Sequence, residues 1–140
     1  MRRWIKLIQQ RVSGHWVGIE EGGGWVADTA EGITLGTSPD GLHAFLALLE
    51  VPLPDLRGEL AARLESKRLP VETARTFPWV GLAALGLQSG AFWASRALDW
   101  LDVLEPDEHV VAQLRLVAEN KKVPQQVRQH ALRLLRRAER

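Results

Sequence analysis

Residues 80–101, VGLAALGLQSGAFWASRALDWL, and residues 114–135, LRLVAENKKVPQQVRQHALRLL, decide the fold. Their apolar positions coincide at an offset of 34: Val80 with Leu114, Leu82 with Leu116, Ala84 with Ala118, Ala97 with Ala131, Leu98 with Leu132 and Leu101 with Leu135. Two helical hairpins stacked in register produce that offset.

The helices can be placed by their punctuation. Trp79 to Leu87 is apolar on all sides, as in a helix at the centre of a bundle or solenoid. Gly81 and Gly86 cost helix propensity there, and close helix contact would compensate. Ser89-Gly90 ends that helix, and the next runs from Ala91 to Leu104, with Trp93, Ala97, Trp100, Leu101 and Leu104 inward. Pro106 stops it, and Asp107 caps a helix whose inner face is Val110, Val111, Leu114, Val117 and Ala118. Lys121-Lys122 suits its C-terminal end. Pro124 starts the last helix, with Val127, Ala131, Leu134, Leu135 and Ala138 facing in.

Upstream, Ser38-Pro39 reads as an N-cap and first helical residue, followed by a face of Leu42, Phe45, Leu46 and Leu49. Pro52 and Pro54 stop this helix, and Asp55 caps another with the stripe Leu56, Leu60 and Leu64. A short helix fills Pro70 to Thr76. Residues 2–12 read as an amphipathic helix, with Trp4, Ile8 and Val12 at i, i+4 and i+8. Residues 15–36 are β-rich and glycine-rich. They fit a hairpin closing Trp16 on Trp25, with Ile33-Thr34-Leu35 as a third strand, and they fit an ordered loop nearly as well.

These readings give a mainly α fold: a short α-α superhelix of helical hairpins, preceded by a small N-terminal region with a possible β-hairpin. The 140 residues are expected to form a single domain, with residues 1–37 as an N-terminal element and 38–140 as the helical region. The expected core is Leu42, Leu46, Leu49, Leu60, Val80, Leu82, Leu85, Trp93, Ala97, Leu101, Val110, Leu114, Val127, Ala131 and Leu135.

The segment Val127-Arg128-Gln129-His130-Ala131-Leu132-Arg133-Leu134-Leu135 resembles the second helix of a HEAT repeat, and Ala94 to Leu101 is a looser copy. The resemblance covers residues 79–140 and, more weakly, 38–68. It implies an α-α superhelix with a scaffold or binding role and no catalytic residues.

Composition and charge narrow the function classes. The chain is 46% hydrophobic and 25% charged, the balance of a soluble globular protein. It has no cysteine, which removes disulfides, thiolate metal sites and cysteine nucleophiles. Arg2, Arg3 and Lys6 are not followed by the apolar run of an export signal, so a cytoplasmic location is expected. Residues 113–140 hold eight basic residues against two acidic ones, a net +6, whereas residues 99–108 hold five acids and no Lys or Arg.

Arg133, Arg136, Arg137 and Arg140 share one helix face and form a candidate anion or nucleic-acid site; a solvated terminal helix explains them too. Asp99, Asp102, Glu105 and Trp4 are candidate partner contacts. Trp4, Ile5 and Ile8 would cap one end of the molecule or join a second copy as a homodimer. A tryptophan beside arginine on a concave face would stack a base, as in HEAT-like DNA glycosylases, with Asp99 or Asp102 as the acid; the chain is short for that role.

The four histidines make no i, i+3 or i, i+4 pair, so no helical metal site is expected. Asp107-Glu108-His109 reads as a helix start. Neither a phosphate loop nor a nucleophile elbow occurs, and no catalytic residue, cofactor or metal is assigned. The expected function is a small interaction or adaptor domain without catalysis, its partner another protein. The alternatives are nucleic-acid binding through the basic helix, or an immunity-type inhibitor contacting a basic target through Asp99–Glu108.

Overall fold

The computed structural model describes residues 3–11, 13–29, 32–35 and 39–139. The readings made at Arg2, Val12, Gly36-Thr37-Ser38 and Arg140 lie outside them. The chain divides into two compact units, Met1–Pro78 and Trp79–Arg140. The helical segments up to Thr76 therefore belong with the N-terminal strands.

The first unit opens with a four-stranded antiparallel sheet in sequence order: β1 (Trp4–Gln9), β2 (Trp16–Glu20), β3 (Trp25–Thr29) and β4 (Gly32–Leu35). The helix expected over residues 2–12 is thus a strand where it is described. Its pairing explains the misreading. Trp4, Ile5 and Lys6 face Glu20, Ile19 and Gly18, but the register shifts after Lys6, so that Ile8 faces Val17 and Gln9 faces Trp16. Leu7 is the extra residue of this bulge, and it leaves Leu7 and Ile8 adjacent yet both buried. Two adjacent buried residues break the alternation of period two that would have marked a strand.

The hairpin between β2 and β3 forms, but Trp25 pairs with Ile19 and Trp16 pairs with Gln9, so the two tryptophans do not close on each other. The connection Glu21–Gly24 places Gly22 and Gly23 at φ 106° and 96°, angles that suit glycine. The third strand expected around Ile33-Thr34-Leu35 is β4. Gly18 in β2 lies under a neighbour: a Cβ there would collide with the Ile5 carbonyl and approach the Trp4 ring within 2.8 Å. The position has room only for hydrogen.

Beyond the sheet, one α-helical turn, α1 (Pro39–Leu42), continues as a 3-10 segment over His43–Glu50. Three residues per turn bring Leu48 into line with Phe45. Phe45, Leu48 and Leu49 are buried, whereas Leu42 and Leu46 of the expected core are half-buried. Helix α2 (Leu53–Ser66) begins earlier than expected. Pro54 sits in its first turn, where a missing N–H costs nothing, and Asp55 lies within that turn rather than capping it.

Leu53, Leu56, Leu60 and Leu64 are the buried face of α2, which packs on β1. Its C-terminus closes with Leu69 N–H on Leu64 carbonyl at 2.9 Å and Arg68 N–H on Glu65 carbonyl at 2.9 Å, with Arg68 at φ 59°. A second 3-10 segment, Val71–Thr76, is fastened to β3. Trp25 Nε1 donates to Thr76 Oγ1 at 2.9 Å, which donates to the Thr73 carbonyl at 2.7 Å. Phe77 meets Trp25 edge-on at 5.2 Å and Phe45 at 5.6 Å, forming the aromatic centre of this unit.

The second unit is four helices: α3 (Trp79–Leu87), α4 (Ala91–Leu101), α5 (Glu108–Glu119) and α6 (Gln125–Ala138). Helix α3 packs on α4, α5 on α6, α3 on α5 and α4 on α6. This is the contact pattern of two stacked hairpins. Asp107 caps α5, its carboxylate accepting from Val110 N–H at 2.8 Å. Pro124 precedes the first residue of α6.

Leu82, Ala97, Leu101, Val110, Leu114, Ala131 and Leu135 are buried as expected; Val80, Leu85, Trp93 and Val127 are half-buried instead. Trp100 carries more of the core than Trp93 and packs against Trp79 at 5.8 Å. The repeat offset is kept inside, at Ala97/Ala131 and Leu101/Leu135, and diverges outside. Leu82 and Leu98 are fully buried, while Leu116 and Leu132 are 61% and 39% exposed.

Two glycines give opposite predictions. Gly18→Ala should destabilise the chain by about 3 kcal/mol or more, because backbone of a neighbouring strand must move. Gly58→Ala, in the exposed middle of α2 with nothing within 4 Å of the added carbon, should stabilise it by about 0.5–1 kcal/mol. Urea unfolding of the two variants beside the parent chain measures both.

Candidate functional site

The acidic stretch and the basic helix meet at the junction of α4 and α6. His130 Nε2 lies 2.9 Å from Asp102 Oδ1, and its Nδ1 lies 4.0 Å from Asp99 Oδ1. Ligand-type atoms of Asp99, Asp102 and His130 all fall within 4.8 Å of one another, a metal-capable group on geometry alone. The two carboxylates are largely exposed, with side chains 60% and 52% accessible. Arg137 adds a fixed positive charge beside them. Its guanidinium donates to the Leu101 carbonyl at 2.6 Å and to the Asp102 carbonyl at 3.0 Å. The cluster is therefore satisfied internally: one cation covers the last carbonyls of α4, and one imidazole holds a carboxylate of the same turn. It clamps the second hairpin to the first.

This placement redistributes the candidate residues. Of the four arginines, Arg137 is committed to backbone, Arg133 and Arg136 are exposed, and Arg140 lies outside the described residues. Asp102 is engaged by His130, whereas Glu105 is exposed and lines a cleft of about 530 Å³ with Asp107, Glu108, Arg115 and Arg137. The cleft holds both signs of charge. Arg115 and Glu139 stand 4.0 Å apart across exposed surface, a separation that contributes little.

This unit also exposes apolar side chains. A groove of about 570 Å³ runs between the α3–α4 turn and the C-terminal end of α5. Its apolar lining includes Leu87, Ala91, Ala94, Leu116, Val117 and Val123, with Gln88, Gln113 and Asn120 alongside. Lys122 is the single titratable side chain among its lining residues. Leu116 is the most exposed large apolar residue described in the chain. The sequence reading left Leu116 off the inner face of its helix but gave it no role, because the groove is formed with residues of the α3–α4 turn that only the stacking brings near.

In the first unit, Trp4 is half-buried beside Lys6, whose ammonium lies 5.8 Å from its ring centroid and 5.7 Å from that of Trp16. Of the residues expected to cap an end or join a second copy, Ile8 is in the core, and Trp4 and Ile5 reach the surface.

Arg137→Ala should destabilise the chain by about 1 kcal/mol, through two lost charge-assisted bonds that are partly solvent-screened. Arg133→Ala, at an exposed position, should stay within about 0.5 kcal/mol of the parent. Thermal unfolding of the two variants separates a clamp from a free basic face. No family model matches this chain, and no curated protein or solved structure is significantly similar to it.

Proposed function

We propose that this chain is a small protein-interaction module of stacked, HEAT-like helical hairpins, acting without catalysis as an adaptor. The observation that carries this reading is the groove at Leu116. It is lined by apolar and amide side chains, it exposes a large aliphatic residue at its wall, and its one charge is Lys122. Such a lining offers buried area and amide hydrogen bonds to another polypeptide. The pairing of α3 with α4 and α5 with α6, each hairpin against the other, supports the repeat reading, because stacked hairpins present continuous faces between helices. The internal satisfaction of Asp102, His130 and Arg137 supports it further, since these groups hold helices together.

The test is capture from lysate on the immobilised chain, with and without nuclease, beside a Leu116→Glu variant. A stoichiometric protein that survives nuclease and is lost from the variant is the expected result. Recovery of the same proteins by both forms, or of nucleic acid alone, contradicts the reading.

A further inference from the structure

The outward face of α4 carries a narrow stripe. Phe92, Arg96, Asp99 and Val103 follow one another at i, i+4, i+7 and i+11, so they lie in one line along the helix. All four are exposed. Phe92 and Val103 are 51% and 52% exposed, more than any other large apolar residue described except Leu116. Val103 stands in the turn just past the helix. Asp102 keeps right-handed helical angles there, and the Val103 N–H still donates to the Trp100 carbonyl at 3.0 Å, so the stripe continues to it. Phe92 is held from two sides: Trp93 meets it edge-on at 4.9 Å, and the Arg96 guanidinium lies 5.4 Å from its ring centroid.

The stripe is complementary to itself. Its order is apolar, basic, acidic, apolar, and its spacing is that of the seam between two paired helices. An antiparallel copy, related by a two-fold axis level with Ala97 and Leu98, sets each position against the one equally far beyond the axis. Phe92 then faces Val103 and Arg96 faces Asp99, and both contacts occur twice. A parallel copy would set like charges together. The Asp99 side chain is 60% accessible, and its 4.0 Å approach to His130 Nδ1 leaves room for a closer partner. Beside the stripe, Trp93 and Ser95 are half-buried and uncharged, and Asp102 is held by His130. The two charges within the seam therefore select the partner and its direction. A formal net charge of +1 gives two copies little mutual repulsion.

We propose that α4 pairs with α4 of a second copy of this chain, antiparallel about a two-fold axis. Phe92 packs on Val103 of the second copy, and Arg96 donates to the Asp99 carboxylate of the second copy. One short helix buries less than the roughly 1,000 Å² of a firm interface, so the dimer exchanges with monomer at micromolar concentrations. The stripe shares no residue with the lining of the groove at Leu116, and the proposal stands whether or not that groove takes a partner. The dimer would join two such grooves in one particle.

The experiment is sedimentation velocity of the full chain over a concentration series reaching about 500 µM, with circular dichroism of every variant. The parent chain should shift from monomer to dimer as concentration rises. Arg96→Asp and Asp99→Arg should each stay monomeric, because like charges then meet at both ionic contacts. An equal mixture of the two variants should dimerise again, since each supplies the charge that the other lacks. Phe92→Ala should weaken the parent dimer roughly tenfold or more, and it decides the matter if a charge variant fails to fold. A parent chain that stays monomeric throughout the series overturns the proposal. So does a dimer that these substitutions leave intact, or a mixture of folded charge variants that stays monomeric.

Discussion

A hairpin of two short helices cannot bury its own apolar residues, and the C-terminal unit exists because one hairpin stacks on another. Its helices run from 9 to 14 residues, lengths at which isolated helices are marginal in water. Everything specific about this unit serves the stacking. Ala97 and Ala131 keep the inner helices slim, Trp79 and Trp100 fill the wider space, and Asp107 fixes where α5 begins. Arg137 and His130 of α6 then bind the last turn of α4. What is left over, the groove at Leu116, is the surface such a stack offers to others.

The N-terminal unit solves a different problem with a bulge and a glycine. The bulge at Leu7 turns two adjacent residues of β1 inward, and Gly18 allows an indole to cover the middle of the sheet. The inner face is closed by Phe45, Phe77 and Trp25, with Thr76 accepting the indole N–H, so that the one polar atom of this aromatic cluster is satisfied. The outer face keeps Trp4 and Trp16 half-buried on either side of Lys6, with Glu20 opposite Trp4.

The C-terminal half was legible because its signals are local and agree with one another. Proline and glycine mark the helix ends, Asp107 marks a cap, and the offset of 34 brings α4 beside α6. Leu116 and Leu132 share the offset with the buried Leu82 and Leu98 yet are exposed, as their absence from the inner faces of α5 and α6 had implied. β1 was hidden by its bulge: Leu7 and Ile8 are buried side by side, which breaks the alternation that marks a strand. Gly18 and the pairing of Trp16 with Gln9 depend on register, which a glycine-rich turn does not announce. The meeting of Asp99 and Asp102 with His130 needed the stacking of α4 on α6, which the repeat implied, and the angular position of each side chain, which it did not.

Amide hydrogen exchange on the free chain and on its complex with the captured partner tests the groove as the interaction surface most directly. Slower exchange in residues 87–94 and 113–123 of the complex, with the remaining backbone of α3 to α6 unchanged, is the predicted result. Protection confined to other segments, or none in these two, would contradict it.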